Sequence, residues 1–204
     1  MKPIIMGISG GTGSGKTFIA NQIKKSFEKN EVLVLNQDAY YYDLGHIPFE
    51  KRIDINFDHP DSIDIELLCT HISKLISGES VKIPVYDFSR HVRSDIINIT
   101  SFAKMIIIEG IFSLYYPALR KLYTMKIFVD TPEKIRLKRR ITRDILERGR
   151  SKKSVEKQYI ESVAPMHKLY VKPTRKYADI VVQGDGNSQD IIKIIKSKIT
   201  SLER

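Results

Sequence analysis

The 204-residue chain has no tryptophan and one cysteine, Cys69. A single cysteine excludes an intrachain disulfide, and a lone Cys on an apolar helical face reads as a small core residue. No apolar run approaches the roughly 20 residues that cross a bilayer, so no membrane partner is expected. The apolar stretch Ile4-Ile5-Met6 is too short for a secretory leader and runs straight into glycines. These absences point to a cytoplasmic protein. Negative charge is also in short supply. Asp and Glu number 24 against 34 Lys and Arg, a net charge of +10. Such a surplus favours anionic partners, whether nucleic acid, membrane surface or phosphorylated small molecules. Much of it sits in one segment, residues 134–153, KIRLKRRITRDILERGRSKK.

What is present reads as one globular domain with no internal repeat, low-complexity tract or dividing linker. Short continuous apolar runs at 4–9, 32–35, 105–108, 126–129 and 180–182 are buried strands. Helical spacing of apolar residues appears over 16–29, 62–76, 133–147, 153–170 and 188–202. Gly78 lies just past the second of these helices, Pro132 opens the third and Gly149 closes it. Continuous apolar strands alternating with helices predict an α/β fold, a parallel sheet covered on both faces. Two excursions leave this core: a β-hairpin at about 81–101 and an Arg-rich lid at about 140–155.

Gly10-Gly11-Thr12-Gly13-Ser14-Gly15-Lys16-Thr17 has the spacing G-x-x-x-x-G-K-[ST]. Small residues let backbone N–H groups wrap a phosphate without Cβ clashes, and the loop delivers that anion to a helix N-terminus. Lys16 is placed to reach the β- and γ-phosphates, and the Thr17 hydroxyl to ligate Mg²⁺. The motif follows a predicted strand and opens a predicted helix, which is the context it requires. It predicts a P-loop NTPase-type sheet binding ATP or GTP. Phe18 takes a helical position outside the phosphate contacts.

Open α/β sheets bind ligands beyond the carboxyl ends of their strands. Glu109 follows Ile106-Ile107-Ile108 at such an end and is the candidate metal carboxylate. Asp38 follows the second strand, where it could accept a proton from an attacking hydroxyl. Arg136, Arg140 and Arg143 stand at i, i+4 and i+7 and share a helix face. With Glu147-Arg148-Gly149-Arg150 they suit a lid closing over phosphates.

The chain resembles the uridine kinase (uridine–cytidine kinase) family nearly end to end. The resemblance rests on GISGGTGSGKT at 7–17, NQDAYYYD at 36–43, NFDHPDSID at 56–64 and IPVYDFSRHVR at 83–93. IIIEGIFSL at 106–114, KIFVDT at 126–131, RRITRDILERGR at 139–150 and PTRKYADIVV at 173–182 extend it. It implies transfer of the γ-phosphoryl of ATP or GTP to the 5′-hydroxyl of uridine or cytidine. Asp38 then corresponds to the catalytic carboxylate beside the metal, and Glu109 and Thr17 to the magnesium partners. Asp58 and Arg140 correspond to the residues that hold the ribose hydroxyls. Tyr86 and His91 correspond to the pair reading the pyrimidine edge, with Phe88 and Tyr41 as walls of the base pocket. Arg143, Arg148 and Arg150 correspond to lid and substrate arginines, Arg143 and Arg148 on the donor side, and Gln158 to a further polar contact with the nucleoside. The resemblance also implies a homo-oligomer, a tetramer.

Three competing readings make different demands. Another P-loop kinase of small metabolites, phosphoribulokinase-like or pantothenate kinase-like, has no use for the segment from Tyr86 to His91 or for Asp58. A GTPase switch needs N-K-x-D and a D-x-x-G after the third strand, where this chain has Glu109-Gly110. An RNA-binding module would account for the charge, but no such signature is present, so no nucleic acid partner is expected.

Overall fold

The computed structural model describes residues 3–52, 55–101 and 103–202. Its centre is a parallel sheet of five strands: β1 (Ile4–Gly10), β2 (Val32–Asn36), β5 (Met105–Glu109), β6 (Met125–Asp130) and β7 (Ile180–Gln183). Their order across the sheet is β2-β5-β1-β6-β7, with β1 paired to β5 on one side and β6 on the other. Every residue of β5 is buried, as a strand covered on both faces requires.

The pleat sorts these side chains into two cores. Ile106 and Ile108 face a layer that includes Leu68, Ile72 and Leu75 of α3 (Ile65–Ile76) and Leu119 of α4 (Pro117–Leu122). Met105 and Ile107 face the opposite layer, which holds Ile19, Ala20 and Ile23 of α1 (Lys16–Lys25) and Ile191, Ile195 and Ile199 of α8 (Ser188–Leu202). Each such aliphatic side chain contributes about 1.5–3 kcal/mol of burial.

Outside the sheet, β3 (Val81–Asp87) and β4 (Val92–Thr100) pair antiparallel as a hairpin, with a register shift between Pro84 and Tyr86. Both strands run longer than the apolar runs imply, because the polar turn is fastened locally. The Asp87 carboxylate accepts from the amides of Ser89 and Arg90 at 2.8 and 3.1 Å. Arg93 ties the hairpin to the core, donating to the Asp64 carboxylate at 2.9 Å and to the Tyr41 carbonyl at 3.0 Å.

Three helices depart from the sequence pattern. α1 stops at Lys25, not at residue 29, because the Ser26 hydroxyl bonds back to the Ile23 carbonyl at 2.8 Å and the chain turns. α3 starts at Ile65, not at 62, because Asp64 caps it, its carboxylate accepting from the Leu67 amide at 3.0 Å. The helix expected over 153–170 is not one regular α-helix. α6 (Lys152–Gln158) passes into π-helical turns at Tyr159–Val163 and His167–Val171, on either side of α7 (Ala164–Met166). Pro165 lies in α7 and lacks the N–H that a continuous α ladder needs. α5 (Glu133–Arg148) follows its pattern and ends at Gly149, whose φ of 62° is the left-handed closure that favours glycine. Two short α-helices were not expected from the sequence, α4 and α2 (Phe49–Arg52), nor were the 3₁₀ turns at Gln37–Tyr40, Pro60–Ser62 and Lys172–Tyr177.

Candidate active site

The carboxyl ends of β1, β2 and β5 open on one crevice, and the glycine loop lies at its floor. β1 ends at Gly10, the Ser14 amide bonds the Gly11 carbonyl at 3.0 Å, and α1 begins at Lys16. Gly13 has a φ of 71°, and a Cβ there would lie 2.3 Å from the Arg136 carbonyl oxygen, so the loop's path requires glycine. No side chain caps the N-terminus of α1 and its first turn holds no acidic residue. Those amides and the helix dipole are left for an anion. The loop is held from behind. Thr131 Oγ1 donates to the Ser14 carbonyl at 2.9 Å, and Arg139 reaches the same carbonyl at 3.4 Å. Phe18 projects outward from α1 and is 52% exposed.

Thr17 Oγ1 donates to Glu109 Oε1 at 3.0 Å. The hydroxyl and carboxylate singled out from separate motifs therefore meet at the mouth of the loop. Burial pushes the Glu109 pKa up, opposed first by the Lys16 ammonium. Burial pushes the Lys16 pKa down, opposed by Glu109 and Asp38. The three form one charge cluster. Its donors are hard oxygens, two carboxylates and a hydroxyl, which fits Mg²⁺ bound through few protein ligands together with waters and phosphate oxygens. Among the described residues no group of three or more His, Cys, Asp or Glu could cage a metal alone. Asp38 sits on a 3₁₀ turn (Gln37–Tyr40) capped by Asn36, whose side chain accepts from the Asp38 amide at 2.8 Å.

Beyond this cluster lies a cavity of about 510 Å³. Lys16, Thr12 and Asp38 line it at the loop end. Tyr41, Asp58, Tyr86, Phe88, His91, Arg140, Arg143, Arg148, Arg150 and Gln158 line the rest. Thr17, Glu109 and the other loop residues, Gly10, Gly11, Gly13, Ser14 and Gly15, are not among its walls. Every residue expected to contact the acceptor thus reaches one space, although they come from five separate stretches of chain.

The far end of the cavity is aromatic. His91 stacks on Phe57 with ring centroids 4.7 Å apart and planes 15° apart. Tyr86 leans on Tyr41 at 5.3 Å and on Phe88 at 5.4 Å. The Tyr86 hydroxyl is buried and has no hydrogen-bond partner among the described residues. His91 holds a left-handed φ of 55° at the hairpin turn, uncommon outside glycine. Arg52 fixes that turn, donating to the Arg90 carbonyl at 3.0 Å and to the carbonyls of Ile47 and Gly45 at 2.6 and 3.1 Å. Burial, then the Arg52 charge, lowers the His91 pKa, so the ring is neutral at pH 7.

Between the two ends sits Asp58, 8% exposed, with its Oδ1 3.6 Å from Arg140 Nη1. Burial raises its pKa, and Arg140 opposes the rise. Arg140 also donates to Gln158 Oε1 at 3.0 Å. Arg148 lies over the Phe88 ring, 4.6 Å from its centroid, which joins the Arg-rich segment to the hairpin. The basic helix face is therefore not solvated: Arg136 and Arg140 are buried.

Sequence reasoning missed several contributors. Phe57 lies inside the quoted NFDHPDSID stretch, yet nothing local marks it as a stacking wall. Gln37, fully buried, accepts from the Phe112 amide at 3.0 Å and braces the β2 and β5 ends against each other. Asp144 lies within the basic segment, where a run of arginines hid the one buried acid.

Residues 5–191 match the family described as phosphoribulokinase/uridine kinase. The chain is 45% identical over 202 residues to a uridine kinase of Clostridium novyi (strain NT), covering 99% of this chain and 97% of that one. It is 45% identical over 198 residues to a uridine kinase of Staphylococcus aureus (strain JH9), covering 97% and 96%. Among solved structures it resembles the phosphoribulokinase from Rhodobacter spheroides, with a TM-score of 0.62, 15% identity, and 91% and 73% of the two chains covered. That last likeness concerns the fold.

Proposed function

The chain belongs to the phosphoribulokinase/uridine kinase family, and we propose that it is a uridine kinase, transferring the γ-phosphoryl of ATP or GTP to the 5′-hydroxyl of uridine or cytidine. The observation that carries this reading is the aromatic end of the cavity. Tyr41, Phe57, Tyr86, Phe88 and His91 enclose a slot for a flat ring, with an unpartnered Tyr86 hydroxyl and a neutral His91 at hand. A phosphorylated open-chain sugar, the other substrate class the family name contains, has no need of such a slot.

The residues divide the work. The backbone amides of the glycine loop and Lys16 hold the β- and γ-phosphates. Thr17, Glu109 and Asp38 would hold magnesium, which would supply positive charge to the phosphate oxygens. Asp38 accepts the proton of the 5′-hydroxyl. Asp58 and Arg140 bind the ribose hydroxyls, and Arg150 and Gln158 support the nucleoside. Tyr86 and His91 read the pyrimidine edge. Arg143 and Arg148 neutralise the transferring group and, by closing, exclude water that would otherwise take the phosphoryl. The same resemblance extends to a cytoplasmic homotetramer. Among the described residues no helix is long and apolar enough to cross a membrane.

A panel of nucleosides and sugar phosphates, each offered with Mg·ATP and with Mg·GTP, tests this reading. Uridine and cytidine are the expected acceptors. Turnover of ribulose 5-phosphate, with none of either nucleoside, would replace the reading with a sugar-phosphate kinase.

A further inference from the structure

Asp144 lies on α5 one turn beyond Arg140, and its side chain is entirely buried. Four guanidinium groups surround it. Arg143 makes the one tight contact, with Nη2 and Nε at 2.7 and 2.9 Å from Oδ1. Arg148 Nε lies 3.8 Å from the same oxygen. Arg140 Nε and Arg150 Nη1 lie 3.5 and 3.6 Å from Oδ2. These last three separations exceed ordinary N–H···O distances. Consistent with that, Asp144 Oδ2 and Arg140 Nε are buried with no hydrogen-bond partner among the described residues. One carboxylate therefore supplies charge to four arginines while hydrogen-bonding only Arg143; Arg140 and Arg150 donate instead to Gln158, and Arg150 also to Ser154 Oγ at 2.9 Å.

All four arginines line the cavity, and they reach different parts of it. The charge of Arg143 is felt at both Lys16 and Glu109. Arg148 covers Phe88. Arg140 contacts Asp58 and Gln158, and Arg150 donates to Gln158 as well. Four cations brought this close repel one another strongly in a poorly solvated site. We propose that Asp144 is a positioning residue that keeps the four arginines convergent in the empty enzyme. It thereby couples the phosphoryl end of the cavity to the nucleoside end. When phosphates arrive, their oxygens take over the counter-charge, and the donors that Asp144 holds only loosely, Arg140 Nε and the Arg148 guanidinium, turn to them without a large rearrangement. The proposal rests on reading the cavity as a phosphoryl-transfer site.

Asp144→Asn keeps the shape and removes the charge. Without anion the variant melts below the wild type, and inorganic pyrophosphate raises its melting temperature more than it raises that of the wild type. At saturating uridine and Mg·ATP its kcat falls about tenfold to a hundredfold, the scale of a misplaced catalytic constellation. A second variant, Asp144→Asn with Arg148→Gln, removes one cation as well and recovers part of the lost stability without anion. Equal melting losses with and without pyrophosphate, no recovery in the double variant, or a wild-type kcat would each overturn the proposal. So would failure to fold even in pyrophosphate, which would make Asp144 a residue of the fold alone. The melting experiment needs no nucleoside. If the wild type phosphorylated no pyrimidine nucleoside, the acceptor reading would fall while the role of Asp144 was still decided.

Discussion

Tyr86→Phe separates binding from folding more cleanly than any other substitution in the cavity. The Tyr86 hydroxyl is buried and unpartnered among the described residues. Burial accordingly raises its pKa. A hydroxyl taken out of water without a hydrogen bond costs about 1–3 kcal/mol by protein mutational measures. Removing it leaves the ring packed against Tyr41 and Phe88 and forfeits no hydrogen bond to the described residues. The melting temperature should therefore hold or rise slightly. In the complex the balance reverses. If the hydroxyl pairs with the pyrimidine edge, its loss leaves a buried polar group of the base unsatisfied, at about 1–3 kcal/mol. That corresponds to a fall in kcat/KM for uridine of about 5- to 140-fold. The assay is initial-rate kinetics over a range of uridine at saturating Mg·ATP, alongside a thermal melt without substrate. A lowered melting temperature with unchanged kcat/KM would make the hydroxyl a structural group and take it out of base recognition.

Three further outcomes follow from the same site. Asp38→Asn lowers kcat by about 10²–10⁴ while uridine still binds, the range of a lost general base; a wild-type kcat would remove the assignment. Asp58→Ala narrows the preference for uridine over deoxyuridine, which in the wild type is at least about tenfold because a site built for a hydroxyl rejects its absence; kcat/KM for both nucleosides on both proteins decides it, and an unchanged ratio takes Asp58 out of the sugar site. kcat/KM for uridine stays level as pH falls through about 6.5, the ordinary histidine value, because burial and Arg52 hold the His91 pKa lower; a drop centred at that ordinary value would show that His91 is not held neutral in the pocket.

The parts of this molecule legible in the sequence share one property: their signals are local. β5 announced itself by Met105-Ile106-Ile107-Ile108, and all of it is buried between two helical layers. The glycine loop carried its chemistry in its spacing, and the Thr17–Glu109 contact joined residues each marked by its own motif. Most of the acceptor residues were legible only through family resemblance. Asp58, Tyr86, His91 and Gln158 meet because the hairpin and the end of α6 fold over the crevice, and no periodicity encodes that encounter. Asp144 was invisible for a different reason. Composition gives the charge of residues 134–153 as a sum, whereas the structure shows one acid at the centre of four bases. The π-helical turns around Pro165 were likewise missed, because apolar spacing resembles an α-helix whether or not the hydrogen-bond ladder is continuous.

The most direct measurement of the central claim is the identity of the product. Uridine incubated with the protein and Mg·ATP is followed by phosphorus NMR, which distinguishes a phosphate on the 5′-oxygen from one on the 2′- or 3′-oxygen or free in solution. The expected products are uridine 5′-monophosphate and ADP in equal amounts, with the signal abolished in Lys16→Ala. Release of inorganic phosphate alone, or phosphorylation at another oxygen, would contradict the placement of the 5′-hydroxyl beside Asp38.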